Sequence, residues 1–193
     1  MVDYLGFVIS LAGFSMDQKK IKAVTSWPVP RTVKQVQAFL GFVNYLRCFI
    51  PNFSSVAHPL NNLTRKESSW SWGPSEEAAF QELKGLVTKG PVLIHSNLEL
   101  PYYLGTDALG VEIAILSQRG PDNWLHPIAY VSKSFSGAKT NYDMHNKELL
   151  AILKALEEWQ IFLEATDKLI QVFTDHRNLE YWMSARTFNW RHA

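Results

Sequence analysis

Three strand-like runs follow one another between residues 102 and 132, and they constrain the fold of this chain more than any other feature. The runs are Tyr102 to Asp107, Val111 to Gln118 and Leu125 to Ser132, with short turns that contain Gly or Asp between them. Strands joined by short turns pair antiparallel, so the pattern predicts a meander. A helix over residues 145–163 and a fourth strand over 169–174 follow. The order predicts an α/β (α+β) fold, a mixed sheet with flanking helices.

A helical region is predicted upstream of these strands. The run Tyr4 to Ser10 and the turn after it predict a hairpin. Thr32 and Gln35 have the spacing of a capping box, in which side chains bond the free amides of a new helix, so an amphipathic helix is expected over residues 32–50. Residues 61–75 are polar and rich in turn residues, and they predict the boundary between this region and the sheet.

Charged residues are unevenly distributed along the chain. Nineteen Lys or Arg residues oppose 18 Asp or Glu residues, for a net charge of +1, which excludes a histone-like or membrane-surface protein. Residues 1–66 nevertheless contain eight basic residues against Asp3 and Asp17, so this segment carries +6 and the remainder −5. The split predicts one segment that meets a polyanion and another that holds acidic groups together around cations.

The sequence also indicates a cellular compartment. A single cysteine, Cys48, has no partner for an internal disulfide and no neighbours at zinc-ligand spacing, which favours a reducing environment. The first residues lack the positive region of a signal peptide, and no stretch approaches the roughly 20 apolar residues of a membrane helix. We therefore expect an intracellular chain without a membrane partner.

Three acidic residues lie where strands and helices are predicted to begin or end. Asp107 closes the first of the three strands, Glu148 lies in the first turns of the long helix, and Asp175 closes the fourth strand. Each alone is typical of a turn residue or of an acid that complements a helix dipole. If the first and fourth strands are neighbours, the three carboxylates meet at one end, where they repel unless a cation joins them. Such oxygen ligands suit Mg²⁺ or Mn²⁺, and two ions about 4 Å apart can hydrolyse a phosphodiester.

Short motifs along nearly the whole chain resemble one family. Three segments resemble the ribonuclease H domain of Ty3/gypsy-type retrotransposon polyproteins: Thr106-Asp107-Ala108, Asn141 to Ile152, and Thr174 to Leu179. Four further segments resemble the end of the reverse transcriptase palm and the thumb of the same family: Tyr4 to Phe7, Trp27 to Pro30, Gln37 to Tyr45, and Phe49 to Phe53. The connecting segment of the family is similar to Trp70 to Lys84.

The resemblance implies a division of the chain into three parts. Residues 1–66 would be the palm end and a thumb-like region, and residues 67–100 a connecting segment. Residues 101–193 would be a ribonuclease H-like domain that lacks its fifth strand and last helix. The polymerase aspartates of the family would precede residue 1, and the fourth nuclease carboxylate would follow residue 193.

The resemblance further implies an endonuclease that cuts the RNA strand of an RNA–DNA hybrid. Asp107, Glu148 and Asp175 would be the catalytic residues and the ligands of two Mg²⁺ (or Mn²⁺) ions. The family distinguishes RNA from DNA through 2′-hydroxyl contacts in the minor groove. Its implied partners are an RNA–DNA hybrid or template–primer duplex and the rest of the Pol polyprotein, with no small-molecule substrate. The implied location is a cytoplasmic virus-like particle or the nucleus.

The thumb-like helix would lie along the backbone of the template and primer. Lys34, Asn44 and Arg47 would then be nucleic-acid contacts, with Lys133 as a further contact in the next domain. Binding of this kind depends on salt and not on sequence. Without the resemblance, Lys34 and Arg47 are typical of solvated charges on a helix surface.

Several positions depart from the family's pattern. The segment after Asp107 is one residue short, and Glu112 stands where an apolar residue is expected. A deletion of one residue reverses the facing of a strand unless the turn absorbs it, so Asp107 could be misdirected. Further departures lie at Leu46, Cys48 and Lys139. Together with the missing elements, they predict nuclease activity that is weak or lost.

Two alternatives to a ribonuclease remain open at this stage. In the first, the chain is a non-catalytic module whose basic first third binds hybrid or duplex while the acidic domain serves as a scaffold. In the second, it is a domesticated or decayed retrotransposon fragment that acts through protein contacts, because an incomplete sheet with seven Trp and eleven Phe residues in the chain would leave an apolar surface.

Overall fold

Two separate β-sheets, with helices packed around them, organise the chain. The computed structural model describes residues 1–66, 68–108, 111–135 and 137–174. The strands are β1 (Val2–Tyr4), β2 (Phe7–Ser10), β3 (Gly13–Met16), β4 (Tyr103–Asp107), β5 (Val111–Arg119), β6 (Leu125–Ser134) and β7 (Gln171–Phe173). The α-helices are α1 (Gln18–Thr25), α2 (Val33–Tyr45), α3 (Phe53–Val56), α4 (His58–Leu63), α5 (Pro74–Thr88), α6 (Met144–Glu158) and α7 (Gln160–Glu164).

The predicted hairpin forms between β2 and β3, which pair antiparallel on either side of the turn after Ser10. A turn at Leu5 and Gly6 nevertheless divides the predicted strand Tyr4–Ser10 into β1 and β2, because both turn residues have positive φ, 50° and 81°. Two successive positive φ angles close a two-residue hairpin whose twist matches that of its strands. The Tyr45 hydroxyl, at the end of α2, donates to the Leu5 carbonyl, so the helical region holds this turn in place.

The predicted amphipathic helix forms as α2 but is shorter than expected. Thr32 caps it, since its hydroxyl accepts from the Gln35 N–H at 3.3 Å. The Gln35 side chain accepts from the Arg31 N–H at 2.7 Å, one residue before the amide that a capping box uses. The helix ends at Tyr45, and a 3₁₀ turn at Arg47–Phe49 follows it. Tighter i to i+3 bonds of this kind commonly end a helix.

The described buried residues form two hydrophobic cores. The first extends from Met16 to Leu93 and is rich in aromatic rings, with the Phe39 and Phe80 centroids 4.6 Å apart. The second extends from Tyr102 to Leu163. None of the helices in the described ranges is long and apolar enough to cross a membrane. The three-part division of the chain stays a prediction, although the two cores separate near residue 100.

The second sheet confirms the predicted mixed topology. Its strand order is β6-β5-β4-β7, with β4 to β6 antiparallel and β7 parallel to β4. Helix α6 covers one face, where Leu104, Leu116 and Ala155 are buried. Because side chains alternate along a strand, Asp107 lies on the opposite, open face. The predicted helix over 145–163 is broken at Trp159, which separates α6 from α7 and packs its ring into the core.

The helical region contacts the open face of the second sheet along β6. Tyr130 of β6 packs against the first core, and Ser132 forms two hydrogen bonds with Ser54 at the start of α3. The Ile94 N–H also donates to the Pro127 carbonyl at 2.9 Å. The helical region is therefore linked to the second sheet through β6. These contacts lie on the same face of the sheet as Asp107.

Glu112 is an acidic residue buried under α6. It lies in β5 on the α6 face, is 7% exposed and lines a cavity of about 10 Å³ with Ala151 and Ala155. Burial raises the pKa of the Glu112 carboxyl above its ordinary value, although nearby lysines, including Lys133 and Lys154, oppose this shift. An apolar residue at this position would avoid this desolvation cost.

Replacing Glu112 by Gln is expected to stabilise the chain at neutral pH. The folded-state pKa of Glu112 is raised, so the penalty is absent below the unfolded-state pKa and complete above the folded-state pKa. We expect Glu112→Gln to increase the free energy of unfolding by about 1 kcal/mol at pH 7, and the gain to vanish near pH 4. Lys133 and Lys154 keep Glu158 and Glu157 as partners.

The measurement is urea unfolding followed by circular dichroism at both pH values. Glu82→Gln, which neutralises an exposed glutamate in α5, is the matched control and should change stability little at either pH. Equal behaviour of the two variants would contradict a desolvation penalty at Glu112.

Candidate active site at the end of the second sheet

Glu148 connects the ends of two neighbouring strands. Asp143 caps α6 by accepting from the Asn146 N–H at 2.8 Å, which places Glu148 in the second turn, facing the sheet. The Glu148 side chain is 1% exposed. Its Oε1 accepts from the Ala108 N–H at 3.0 Å, just after β4, and its Oε2 accepts from the Thr174 hydroxyl at 3.1 Å, just after β7. Glu148 therefore lies where the sequence predicts the carboxylates to meet.

Asp107 ends β4 on the open face of the sheet. It is half-buried and borders a cleft of about 460 Å³ together with Ile113, Ile115 and Phe173. The pairing of β4 with β5 continues without a shift to the Asp107–Ile113 pair. Asp107 and Ile113 therefore project from the same face of the sheet. That the shorter segment misdirects Asp107 stays a prediction. The peptide after Asp107 is the one bonded by Glu148, so the two residues meet at one strand end.

The third predicted ligand, Asp175, lies outside the described residues. It directly follows Thr174, the residue that donates to Glu148. Within the described ranges, no group of three or more His, Cys, Asp or Glu side chains is placed to hold a metal ion. The acidic residues at this strand end, Asp107 and Glu148, carry carboxylate oxygens, which are ligands of the kind that a hard divalent cation prefers. The three-carboxylate ligand set stays a prediction.

Thr174 is a site residue that the sequence reasoning missed. Its hydroxyl holds Glu148, and Thr106 at the equivalent position of β4 donates to the Phe173 carbonyl at 3.5 Å. The signal was present in the sequence, because the dipeptide Thr-Asp occurs at both predicted strand ends, as Thr106-Asp107 and Thr174-Asp175. Since residues alternate along a strand, Thr106 of β4 faces α6 while Asp107 faces away.

The predicted nucleic-acid contacts fall into two groups. Lys34, Asn44 and Arg47 are exposed on α2 and the turn that follows it. Asn44 and Arg47 line a cleft of about 320 Å³ between α2, α4 and β6, which we call the joint cleft. Its full lining is Leu40, Gly41, Asn44, Arg47, Phe53, Ser54, Asn61 and Ser132. The structure places Lys133 elsewhere, on the α6 face, where it pairs with Glu158 at 2.8 Å.

Comparison with known proteins assigns more than half of the chain to a family. Residues 72–188 match the model of the RNase H-like domain found in reverse transcriptase. RNase H-like domains generally use divalent metal ions. The Transposon Tf2-3 polyprotein of Schizosaccharomyces pombe is 41% identical over 179 residues, which cover 92% of this chain and 13% of the polyprotein. The chain therefore spans about an eighth of the length of such relatives.

Solved structures of foamy viral proteins have a similar fold. The foamy viral protease-reverse transcriptase in complex with an RNA/DNA hybrid has a TM-score of 0.75 and 23% identity, over 98% of this chain and 26% of that chain. The same kind of protein in complex with double-stranded DNA has a TM-score of 0.78 and 25% identity, over 96% of this chain and 39% of that chain. The likeness extends across both sheets and the helices around them.

Removal of the Glu148 side chain is expected to destabilise the second sheet. In Glu148→Ala, the buried Ala108 N–H and the Thr174 hydroxyl lose their acceptors, so we expect a loss of about 1–3 kcal/mol in the free energy of unfolding. Glu148→Gln keeps an acceptor for Ala108 and can donate to Thr174, so its loss should be smaller. Urea unfolding measures both, and equal losses would show that the hydrogen bonds do not matter.

Proposed function

Because the chain belongs to the family of RNase H-like domains found in reverse transcriptases, we propose that its second sheet hydrolyses the RNA strand of an RNA–DNA hybrid while its helical region binds the same duplex. The observation that carries the proposal is the bond pattern of Glu148, which brings a buried carboxylate to the strand end that holds Asp107. The foamy viral complex with RNA/DNA hybrid supports this substrate class, and the similar Tf2 transposon polyprotein supports a retroelement context.

Asp107, Glu148 and Asp175 are the residues that would hold divalent cations, Mg²⁺ or Mn²⁺, in this proposal. When bound, two such cations activate a water molecule and stabilise the leaving oxygen of a phosphodiester. The Ala108 N–H and the Thr174 hydroxyl orient Glu148, and its burial excludes water from its hydrogen bonds. Asp107 lies at the open cleft, where a phosphodiester of the RNA strand can approach it.

The open face of the sheet supports the placement of the duplex. Asp107 and the β6 contacts of the helical region lie on the same face, so a duplex along this face meets α2 and the strand end together. Lys34 and Arg47 are exposed on the helical side and would neutralise phosphates. The surrounding polyprotein, and a virus-like particle or the nucleus as location, belong to this proposal as well.

A binding module without catalysis is the second candidate function. It is favoured by the joint cleft, where Arg47 and polar side chains lie together and no carboxylate is among the described lining residues. Such a module would bind hybrid without a divalent cation, and its affinity would not depend on Asp107. The two candidates differ in cleavage and agree in binding.

Asp107→Asn is expected to reduce cleavage of an RNA–DNA hybrid at least about 100-fold, because it removes a ligand charge at the strand end with little change in shape. The assay incubates the chain with a hybrid labelled on its RNA strand and Mg²⁺ or Mn²⁺. Asp3→Asn, in the exposed strand β1, is the matched control and should cleave like the unchanged chain. Equal cutting by both variants, or none by the unchanged chain, would remove the enzyme claim and leave the binding module.

Lys34→Glu combined with Arg47→Glu is expected to weaken hybrid binding and its dependence on salt. Each lost phosphate contact lowers the slope of log affinity against log salt by about 0.9, so the double variant should lose about 2 from that slope. Lys22→Glu with Lys89→Glu makes the same change in net charge at exposed positions elsewhere. Equal slopes for the two double variants would argue against a specific contact on α2.

A further inference from the structure

Two hydrogen bonds, both donated by Ser54, join the helical region to the second sheet. The Ser54 N–H donates to the Ser132 hydroxyl at 2.8 Å, and the Ser54 hydroxyl donates to the Ser132 carbonyl at 2.7 Å. Ser132 is 8% exposed, so solvent competes weakly for these bonds. A pair that engages both backbone and side chain leaves little freedom for α3 to slide along β6.

The same pair lies on one rung of the sheet with Asp107. Ser132 of β6 is the cross-strand partner of Ile113 in β5, and Ile113 is the partner of Asp107 in β4. Residues that face each other across strands project on the same face. Because neighbouring strands lie about 4.8 Å apart, roughly 10 Å of paired backbone separates Ser132 from Asp107. The helical region is thus hydrogen-bonded to the sheet at the residue of β6 that lies two strands away from Asp107, a predicted catalytic residue.

The joint cleft lies directly over this serine pair. Ser54 and Ser132 line it on the sheet side, and Asn44, Arg47 and Asn61 line it on the helical side. A Cβ added at Gly41 would meet no heavy atom within 4 Å, so this wall of the cleft is open. A guanidinium beside amide and hydroxyl groups, with no carboxylate among the described lining residues, matches the oxygens of a phosphodiester.

We propose that the joint cleft holds one phosphodiester of the bound hybrid and that the Ser54–Ser132 pair fixes its distance from Asp107. The pair thereby sets the position at which the RNA strand is cut. Ser54 and Ser132 are positioning residues here, since they act through the rung that carries Asp107. This inference rests on the proposed function for the cut itself, but the fixed spacing on the duplex is a property of binding alone.

The first test maps cut positions on a blunt-ended hybrid labelled at the 5′ end of its RNA. The unchanged chain should cut within a narrow window of positions. Two control variants should do the same: Ser55→Ala, at the exposed neighbour of Ser54, and Ser54→Thr, which keeps both hydrogen bonds. Ser54→Ala with Ser132→Ala should spread its cuts over neighbouring phosphodiesters, and the readout is the distribution of cut positions rather than their total. Successive phosphates lie about 3.4 Å apart along one strand, so a slide of that size moves the cut by one nucleotide.

The second test does not depend on cleavage. Hydroxyl-radical footprinting of the hybrid bound without divalent cation should give two protected backbone segments at a fixed spacing, one from the joint cleft and one from the strand end. The double variant should blur or change that spacing, whereas Ser55→Ala should not. A blurred spacing without any cutting would support the inference and reject the proposed hydrolysis. An unchanged footprint and unchanged cut positions in the double variant would overturn the inference and leave the hydrolysis in place.

Discussion

A buried carboxylate holds the functional end of the second sheet together. The parallel pairing of β4 with β7 involves three residue pairs, and Glu148 adds a connection just beyond it by accepting hydrogen bonds from Ala108 and Thr174. The same two bonds fix the rotation of α6 on the sheet. A buried carboxylate loses the water molecules that hydrate it in solution. Here a protein donor to each of the two oxygens replaces them. The position of the candidate active site follows from this single side chain.

The second organising feature is the shared face of the sheet. Helix α6 covers one face, and the helical region reaches the other face only along β6, so the part of that face near Asp107 stays open as a cleft. An elongated polyanion can lie along this surface and contact the basic helical region at one end. The basic helical region can therefore contact the phosphates of such a polyanion while the acidic region places Asp107 beside the same molecule.

The sheet could be predicted from the sequence, but the buried face of its long helix could not. Alternating strands with short turns leave few pairings, so the mixed topology follows from pattern alone. In α6, Leu153 is 48% exposed, whereas Glu148, Ala151 and Ala155 are buried against the sheet. Small residues allow the helix to approach the sheet closely, and hydrophobic periodicity does not report that contact. The break at Trp159 was missed for a similar reason, since a large ring in the core has no local sequence signature.

The hydrogen bonds of Glu148 also bear on how the history of such a chain is reconstructed. A chain that folds but no longer cuts nucleic acid still needs a hydrogen-bond acceptor at position 148, because the buried Ala108 N–H bonds to it. A glutamine side chain can supply that acceptor, so the fold requires an acceptor there, whereas a negative charge would be required by the nuclease chemistry. A glutamine and a glutamate at this position would therefore carry different information about whether such a sequence still encodes a working enzyme.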